Sequence, residues 1–379
     1  MPWNPALPYN DLPPLPPRES ATGVDTREVL KAVPSARSAL ASLNEASKRI
    51  SNPSLLLNNL TLLEAQASSE IENIVTTTDD LFRYASTELT DASESATPQT
   101  KETYAYRSAL YKGMEAMEQR PLSADTAKIV CSTIHGQDMQ FRNYPGTFIS
   151  SSKHGEPVYT PPEGVDTIMS LLSNWSAFIH RATPPSAHAL RDPADYIDLD
   201  PLTVMAVAHY QFEAIHPFRD GNGRTGRILN ILILKHFGLL EHPILYLSRS
   251  IIENKAEYYD RLLNVTKDGD WTGWILFMLE AVRSSAERTL TTIDAIVECR
   301  STISDHLKKQ SHRPDEDLLD LLIEQPYCRI TAVAERCGVS RPTATKWLRD
   351  LSNAGVLREE RVGRTVLFSN PGLMAALQR

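Results

Sequence analysis

The sequence predicts a mainly α-helical protein with one small β-hairpin near its middle and a compact helix-turn-helix module with a two-stranded ribbon near its C-terminal end. Three observations carry that expectation. Apolar residues recur at three- and four-residue spacing through most of residues 25–309. The stretch YPGTFISSSKHGEPVYTPPEGV interrupts this with β-branched and aromatic residues flanking a polar turn, the pattern of a hairpin. Residues 315–370 then read as helix, turn, helix and ribbon. With 379 residues, 41% of them hydrophobic, the chain has material for two or three globular domains, expected at 1–100, 101–300 and 315–379.

Residues 1–18 hold seven prolines and should be extended, an arm packing on its own protein or a ligand for an SH3-like domain. From Asp25 to Arg49 the spacing predicts a packing helix, with Pro34 near its start. Residues 54–73 predict another, ending near Asn73 before the β-branched run IVTTT. Ser68 and Glu72 lie four apart on it and share a face. By itself Glu72 is a solvated carboxylate at a helix end. Residues 97–140 alternate helical patterns with short polar turns, and PLTVMAVAHYQFEAI, at 201–215, is an apolar helix on which His209 reads as a core histidine. His154 in the hairpin turn reads as solvated. Residues 271–309 read as long helices.

Between two apolar helices stands HPFRDGNGRTGR, residues 216–227. Gly221 and Gly223 can take positive φ, so that successive N–H groups turn inward as an anion nest. The helix beginning in RTGR adds the partial positive charge of its N-terminus. Arg224 and Arg227, three apart, share one side of its first turn and can reach phosphate oxygens. Asp220 offers a hard oxygen to Mg²⁺, which is commonly held at nucleotides by one or two carboxylates plus phosphates and water. His216 on the upstream flank can take a proton from an attacking hydroxyl. Base, metal ligand and anion hole fall within twelve residues.

Composition excludes some roles. The apolar run ILNILILKHFGLL is broken by polar residues and too short to span a bilayer, and the N-terminus lacks the basic and apolar regions of a signal peptide. A cytoplasmic protein without membrane contact is expected. Cys131, Cys299, Cys328 and Cys337 form no CxxC pair and read as reduced thiols. The net charge of −8 argues against adhesion of the whole protein to nucleic acid, yet residues 327–369 carry 8 Lys+Arg against 4 Asp+Glu, so this segment is basic within an acidic chain.

The stretch 216–227 is similar, residue for residue, to the HPFx(D/E)GNGRxxR signature of Fic-domain proteins. That resemblance implies a Fic-type helical core with the hairpin as its flap, and a protein adenylyltransferase that moves AMP from ATP to Ser, Thr or Tyr hydroxyls of target proteins or of itself. It implies His216 as base, Asp220 as Mg²⁺ ligand, and Gly221, Asn222, Gly223, Arg224, Thr225, Gly226 and Arg227 as the nucleotide loop. The flap would hold the protein substrate as an added strand, the alternative being an ordinary surface hairpin. In Fic proteins an (S/T)xxxE(G/N) helix before the core is inhibitory, and Ser68, Glu72 and Arg227 would be the matching residues here. Asn254, Tyr258 and Tyr259 resemble the adenine contacts, both tyrosines being equally placed for core packing.

The C-terminal unit resembles a winged helix-turn-helix, used for duplex DNA or for protein contacts. In the DNA case Ser340, Arg341, Thr343, Thr345 and Lys346 would face the major groove, with Arg361 and Arg364 on phosphates. Two other functions stay open: removal of AMP at the same site, and a DNA-binding regulator of toxin-antitoxin kind with a sensory Fic core. A homodimer also stays open.

Overall fold

The computed structural model describes residues 3–17, 23–48, 52, 54–87, 96–150, 155–184, 195–309, 315–362 and 365–378. The expected helical class is what is found. The elements before the hairpin are α1 (Arg27–Lys48), α2 (Ser54–Ile71), α3 (Thr78–Thr87), α4 (Pro98–Gln119) and α5 (Ala124–His135). Strands β1 (Ile149–Ser150) and β2 (Pro157–Tyr159) pair antiparallel, Ile149 opposite Tyr159. His154 lies outside the described residues. Next come α6 (Val165–Arg181), α7 (Pro201–Ile215), α8 (Asn222–His236), α9 (Leu247–Glu253), α10 (Lys255–Asp268) and α11 (Trp271–Lys309). Residues 271–309 thus form one helix rather than several, because no Pro or Gly interrupts their apolar spacing after the first turn.

Local chemistry sets the boundaries. Asp200 caps α7 through the Leu202 N–H, and Pro201 occupies the first turn, where its missing N–H costs nothing. Thr97 and Pro98 start α4 in the same way, and Ser123 with Thr126 forms a capping box before α5. Helices α7 and α8 are buried nearly all round, as a central pair must be. Around them α6 packs on α7, and α4 and α5 pack on α8, while α1 runs along α11. Two indoles lock this core: Trp175 Nε1 donates to the Ala208 carbonyl at 2.9 Å and Trp274 Nε1 to the Ala206 carbonyl at 2.8 Å.

The proline-rich arm packs on its own protein. Tyr9 N–H bonds the Thr160 carbonyl just after β2, Gln211 Nε2 donates to the Pro13 carbonyl, and Leu12 and Leu15 are buried.

The C-terminal region comprises α12 (Glu316–Glu324), β3 (Tyr327–Arg329), α13 (Ile330–Arg336), α14 (Arg341–Asn353), β4 (Arg358–Val362), β5 (Thr365–Ser369) and α15 (Pro371–Leu377). The sheet order is β3-β5-β4, all antiparallel; β3 is a strand that the sequence pattern does not predict. Gly338, at φ 63°, makes the turn between α13 and α14, and Ser340 caps α14. The region rests on the rest of the chain through α12 against α2 and α15 against α11.

Candidate active site

The loop joining α7 to α8 is shaped by a few interactions that the sequence cannot display. His216 ends α7 in the left-handed region, φ 49° and ψ 57°, with its N–H on the Phe212 carbonyl. The side chain of Arg142 holds this unusual turn: Nε donates to the His216 carbonyl at 2.7 Å and Nη2 to the carbonyls of Ile215 and Pro162. Its own N–H bonds the Pro217 carbonyl at 2.8 Å. Arg142 is 2% exposed, so it satisfies the free carbonyls at the end of α7 from inside the protein. No motif marked it.

Asn222 closes the loop by a reciprocal pair, its Oδ1 accepting from Phe218 N–H and its Nδ2 donating to the Phe218 carbonyl, both at 2.8 Å. Gly221, at φ 81°, leads into α8. A Cβ there would stand 2.6 Å from His135 Nε2, so glycine is required by contact as well as by conformation. Asp220 is exposed, and its Oδ1 accepts the Gly221 N–H.

The two arginines part company. Arg227 is 1% exposed; its Nε donates to Ser68 Oγ at 2.8 Å, and its Nη2 donates to the Ser68 carbonyl at 2.9 Å and to Glu72 Oε1 at 2.7 Å. The carboxylate of Glu72 also lies over Gly223, where an added Cβ would collide with its Oε1. Glu72 therefore sits as an anion on the N-terminal turn of α8. It is placed there by the end of α2, which closes through Asn73 at φ 62°, a position Asn tolerates better than most residues. Arg224 points elsewhere, its buried guanidinium bonding Glu102 Oε1 on α4, with Asp220 Oδ1 3.9 Å away. Its head group is thus engaged with Glu102, away from that of Arg227. Thr225 and Gly226 are buried beneath the loop and contribute backbone.

Burial sets the proton affinities. The His216 ring is pushed down to about 4, by desolvation first and then by the Arg142 charge, against Glu72, Asp220 and the Glu213 carbonyl, which favour protonation. Glu213, one turn earlier, is pushed up to about 8, again by burial first, with Arg227 pulling down and Glu72 pushing up. A neutral imidazole and a largely neutral carboxylic acid thus stand one turn apart at pH 7. Glu213, Glu102 and Arg142 were all missed; only QFEAI, a carboxylate in an otherwise apolar helix, signalled one of them.

The expected adenine contacts separate. Tyr258 is 1% exposed and its hydroxyl pairs with His209 Nε2 at 2.8 Å, beside Trp274, so it packs in the core, one of the two places the sequence allowed it. His209 is the core histidine expected. Tyr259 is 42% exposed and borders the cavity under the flap, whereas the amide of Asn254 bonds the Ser250 carbonyl at the α9–α10 junction. Ser340, Arg341 and Lys346 are exposed, and Thr343 and Thr345 half-buried, Thr345 bonding the Arg341 carbonyl. Arg364 lies outside the described residues. Among the described residues no helix is long and apolar enough to cross a membrane, and the four cysteines are free.

A helical core whose glycine- and arginine-rich loop joins two buried helices under a hairpin, with a glutamate from an upstream helix resting on that loop, is an architecture of a recognisable class. Residues 30–115 match the Fic/DOC family N-terminal model, 125–234 the Fic/DOC family model, and 298–373 the model of the protein adenylyltransferase SoFic-like C-terminal domain. The chain belongs to the Fic/DOC family.

It is similar to protein adenylyltransferase fic-1 of Caenorhabditis elegans, 33% identical over 121 residues, covering 29% of this chain and 22% of that protein. It is also similar to protein adenylyltransferase Fic of Nematostella vectensis, 29% identical over 161 residues, covering 42% of this chain and 30% of the relative. The chain thus spans less than a third of the length of these relatives. A Fic family protein from Desulfovibrio desulfuricans G20 shares the fold, with a TM-score of 0.54 at 19% identity over 93% of this chain and 98% of that one.

Proposed function

We propose that the protein is a protein adenylyltransferase that transfers AMP from ATP to a hydroxyl of a target protein or of itself, and that Glu72 holds it inactive. One observation carries the reading: the Glu72 carboxylate occupies the place of an anion over Gly223 while pairing with Arg227. A nest already fitted to one anion suits a phosphate, and Arg227 becomes available to it only when Glu72 leaves.

ATP would lie with its phosphates on the backbone of Gly221 to Gly226 and its γ-phosphate at Arg227. Asn222 shapes the loop, and Arg224, tied to Glu102, braces the first turn of α8. The exposed carboxylate of Asp220 fits Mg²⁺; among the described residues no cluster of three or more His, Cys, Asp or Glu stands ready for a metal, so the triphosphate would complete the shell. Bound Mg²⁺ would neutralise phosphate charge. His216, neutral in its buried turn, takes the proton of the hydroxyl whose oxygen attacks the α-phosphorus; the bond to the β-phosphate oxygen breaks and pyrophosphate leaves. The flap edge, with Phe148 and Ile149 exposed, offers an extended target segment a strand to pair with. Tyr259 and Asn254 border the side toward the base.

The three-part division of the chain belongs to the same reading, as does a cytoplasmic setting, which the free thiols suit. The α13–turn–α14 unit with its β4–β5 ribbon fits a winged helix-turn-helix, and the exposed Arg341 and Lys346 at the start of α14 suit DNA phosphates. The test is incubation with α- and γ-labelled ATP. Transfer of label from the α position alone supports adenylylation; transfer from the γ position, or release of AMP from a premodified target without any transfer, overturns it.

A further inference from the structure

Glu64, Ser68 and Glu72 stand four apart along α2 and its end, on one face, and only the last two enter the proposed inhibition. Glu64 is 3% exposed, a carboxyl set inside the core. Its Oε2 accepts the Ser248 N–H at 2.8 Å, and its Oε1 accepts from Ser248 Oγ and, at 3.2 Å, from the Tyr106 hydroxyl of α4. The N–H can only donate and both hydroxyls can, so the ionised form satisfies all three. Burial raises the proton affinity of Glu64, and the Ser248 donors, the Arg227 charge and Tyr106 oppose it. A buried carboxylate is tolerated beside a counter-charge, and the buried cation whose field reaches this one is Arg227.

Hydroxyl groups bridge the two. Arg227 Nε donates to Ser68 Oγ at 2.8 Å, and Ser68 is itself fully buried. Burial holds the Tyr106 phenol well above its ordinary proton affinity and Glu64 adds to this, while Arg227 and the Ser68 hydroxyl pull it down, the sign of a Ser68 O–H turned toward the phenol oxygen. Tyr106 in turn donates to Glu64. Each hydroxyl thus receives from the cation side and gives toward the carboxylate, so the contacts polarise one another in one direction.

We propose that Glu64 is a positioning residue of the transfer reaction: through Tyr106 and Ser68 it holds the Arg227 guanidinium at the first turn of α8 once the Glu72 side chain has withdrawn, so that the arginine meets the γ-phosphate. This rests on the reading in which a triphosphate replaces Glu72 at the nest. With Glu72 gone, Arg227 loses its direct ion pair and keeps the Ser68 hydroxyl and carbonyl. A buried guanidinium without an anion is costly and would turn toward water. The Glu64 charge behind Ser68 and Tyr106 opposes that turn. Ser68 therefore serves the open site as well as the closed one.

The test uses the full chain in the Glu72→Gly background, with calorimetric affinities for ATP and ADP and thermal unfolding, for Glu64→Gln, Tyr106→Phe and Ser248→Ala. Glu64→Gln removes the charge but keeps a carbonyl for the Ser248 N–H and an amide that can donate to the two hydroxyls. Tyr106→Phe keeps the charge and cuts the bridge. Ser248→Ala removes a bond to Glu64 that lies outside the bridge, and so measures a merely structural loss. The background protein should bind ATP more tightly than ADP by roughly 10- to 100-fold, the scale of a charge-assisted hydrogen bond. Glu64→Gln and Tyr106→Phe should each lose most of that ratio with ADP affinity unchanged, and Ser248→Ala should keep it. A ratio preserved in Glu64→Gln or in Tyr106→Phe overturns the assignment. So does an equal loss of ATP and ADP affinity shared with Ser248→Ala. If Glu64→Gln fails to fold, Tyr106→Phe decides, because it leaves both bonds of Glu64 to Ser248 in place. A Glu72→Gly protein that binds ATP and ADP equally also overturns the assignment, since Arg227 then does not read the γ-phosphate. One that binds neither sinks the transferase reading itself, and the assignment falls with it.

Discussion

In the proposed function Glu72 is the residue on which the state of the site turns. Its carboxylate both neutralises Arg227 and fills the nest, so Glu72→Gly should raise AMP transfer, self-modification included, by about 10²-fold, the usual scale of a misplaced reacting group. The gain should disappear when Arg227 is also replaced; labelled-ATP assays of the two variants decide it. In that activated background His216→Ala should cost roughly 10²–10⁴ in rate and leave nucleotide affinity nearly unchanged, because it removes a base and not the nest. Equal loss of affinity by calorimetry would sink that role.

The histidine ring also sets a pH dependence. Its folded value near 4 lies below the ordinary one of about 6.5, so it stays neutral where a free imidazole would be charged. The acid limb of the rate should therefore fall near pH 4 to 5 rather than 6.5, and removal of Glu72, which favours the charged ring, moves it no higher. Arg142→Met should move it up, since the arginine charge opposes protonation. The same change strands three buried carbonyls and should cost about 1–3 kcal/mol or more of stability, read by denaturant unfolding. Glu213 works the other way: its folded value is raised, so the fold binds the extra proton between about 4.3 and 8 and loses that stabilisation as pH rises through the window. Glu213→Gln should flatten this alkaline decline in melting temperature.

Among the elements, α8 depends on close approach at its first turn. At Gly223 and Gly226 the carboxyl groups of Glu72 and Glu213 lie where a side chain would grow, so a larger residue there displaces them. Gly223→Ala should therefore expel Glu72 from the nest yet yield no activation, since the methyl group fills the space that frees the loop. That contrast with Glu72→Gly separates loss of the ion pair from opening of the anion site. Helix α2 is held at both ends. Ser68 and Glu72 meet α8 at one end, and near the other Asn58 Nδ2 bonds Glu324 Oε1 at 2.6 Å and buried Asn59 Nδ2 bonds the Ile323 carbonyl at 2.8 Å on α12. Asn59→Ala should cost about 1–3 kcal/mol, because it leaves a buried carbonyl at the end of α12 unsatisfied.

Across the whole molecule, the C-terminal region is seated on the helices that carry the proposed inhibitory contact. Arg83 of α3 stacks on the Tyr327 ring and pairs with Glu360 of β4 at 2.8 Å, and the Tyr327 hydroxyl bonds Asp79. Arg83→Ala should raise hydrogen exchange in β4 and β5 while exchange in 216–227 stays as in the parent. Binding of duplex DNA by the full chain should weaken steeply with salt. Arg341→Ala with Lys346→Ala should lower the logarithmic slope by roughly 2, as two phosphate contacts are lost.

The helical class, the hairpin, the C-terminal helix, turn, helix and ribbon, and the turn at 216–227 were legible in the chain, because each depends on local spacing, caps and glycines within a dozen residues, whereas β3 was not. HPFRDGNGRTGR could be read as chemistry for that reason, and a resemblance drew Glu72 to Arg227. Long-range packing settled the rest. The partner of Arg224 is Glu102, 122 positions away, and the turn at His216 is held by Arg142, 74 positions away. Both contacts come from packing α4 and the segment after α5 onto the central helices, and a charged side chain in a helix or loop does not announce such a partner. The same holds for Tyr258, whose burial against His209 and Trp274 separates it from its exposed neighbour Tyr259. Proton affinities are a further case, since the neutrality of His216 and Glu213 follows from desolvation, a property of the folded surroundings and not of the residue.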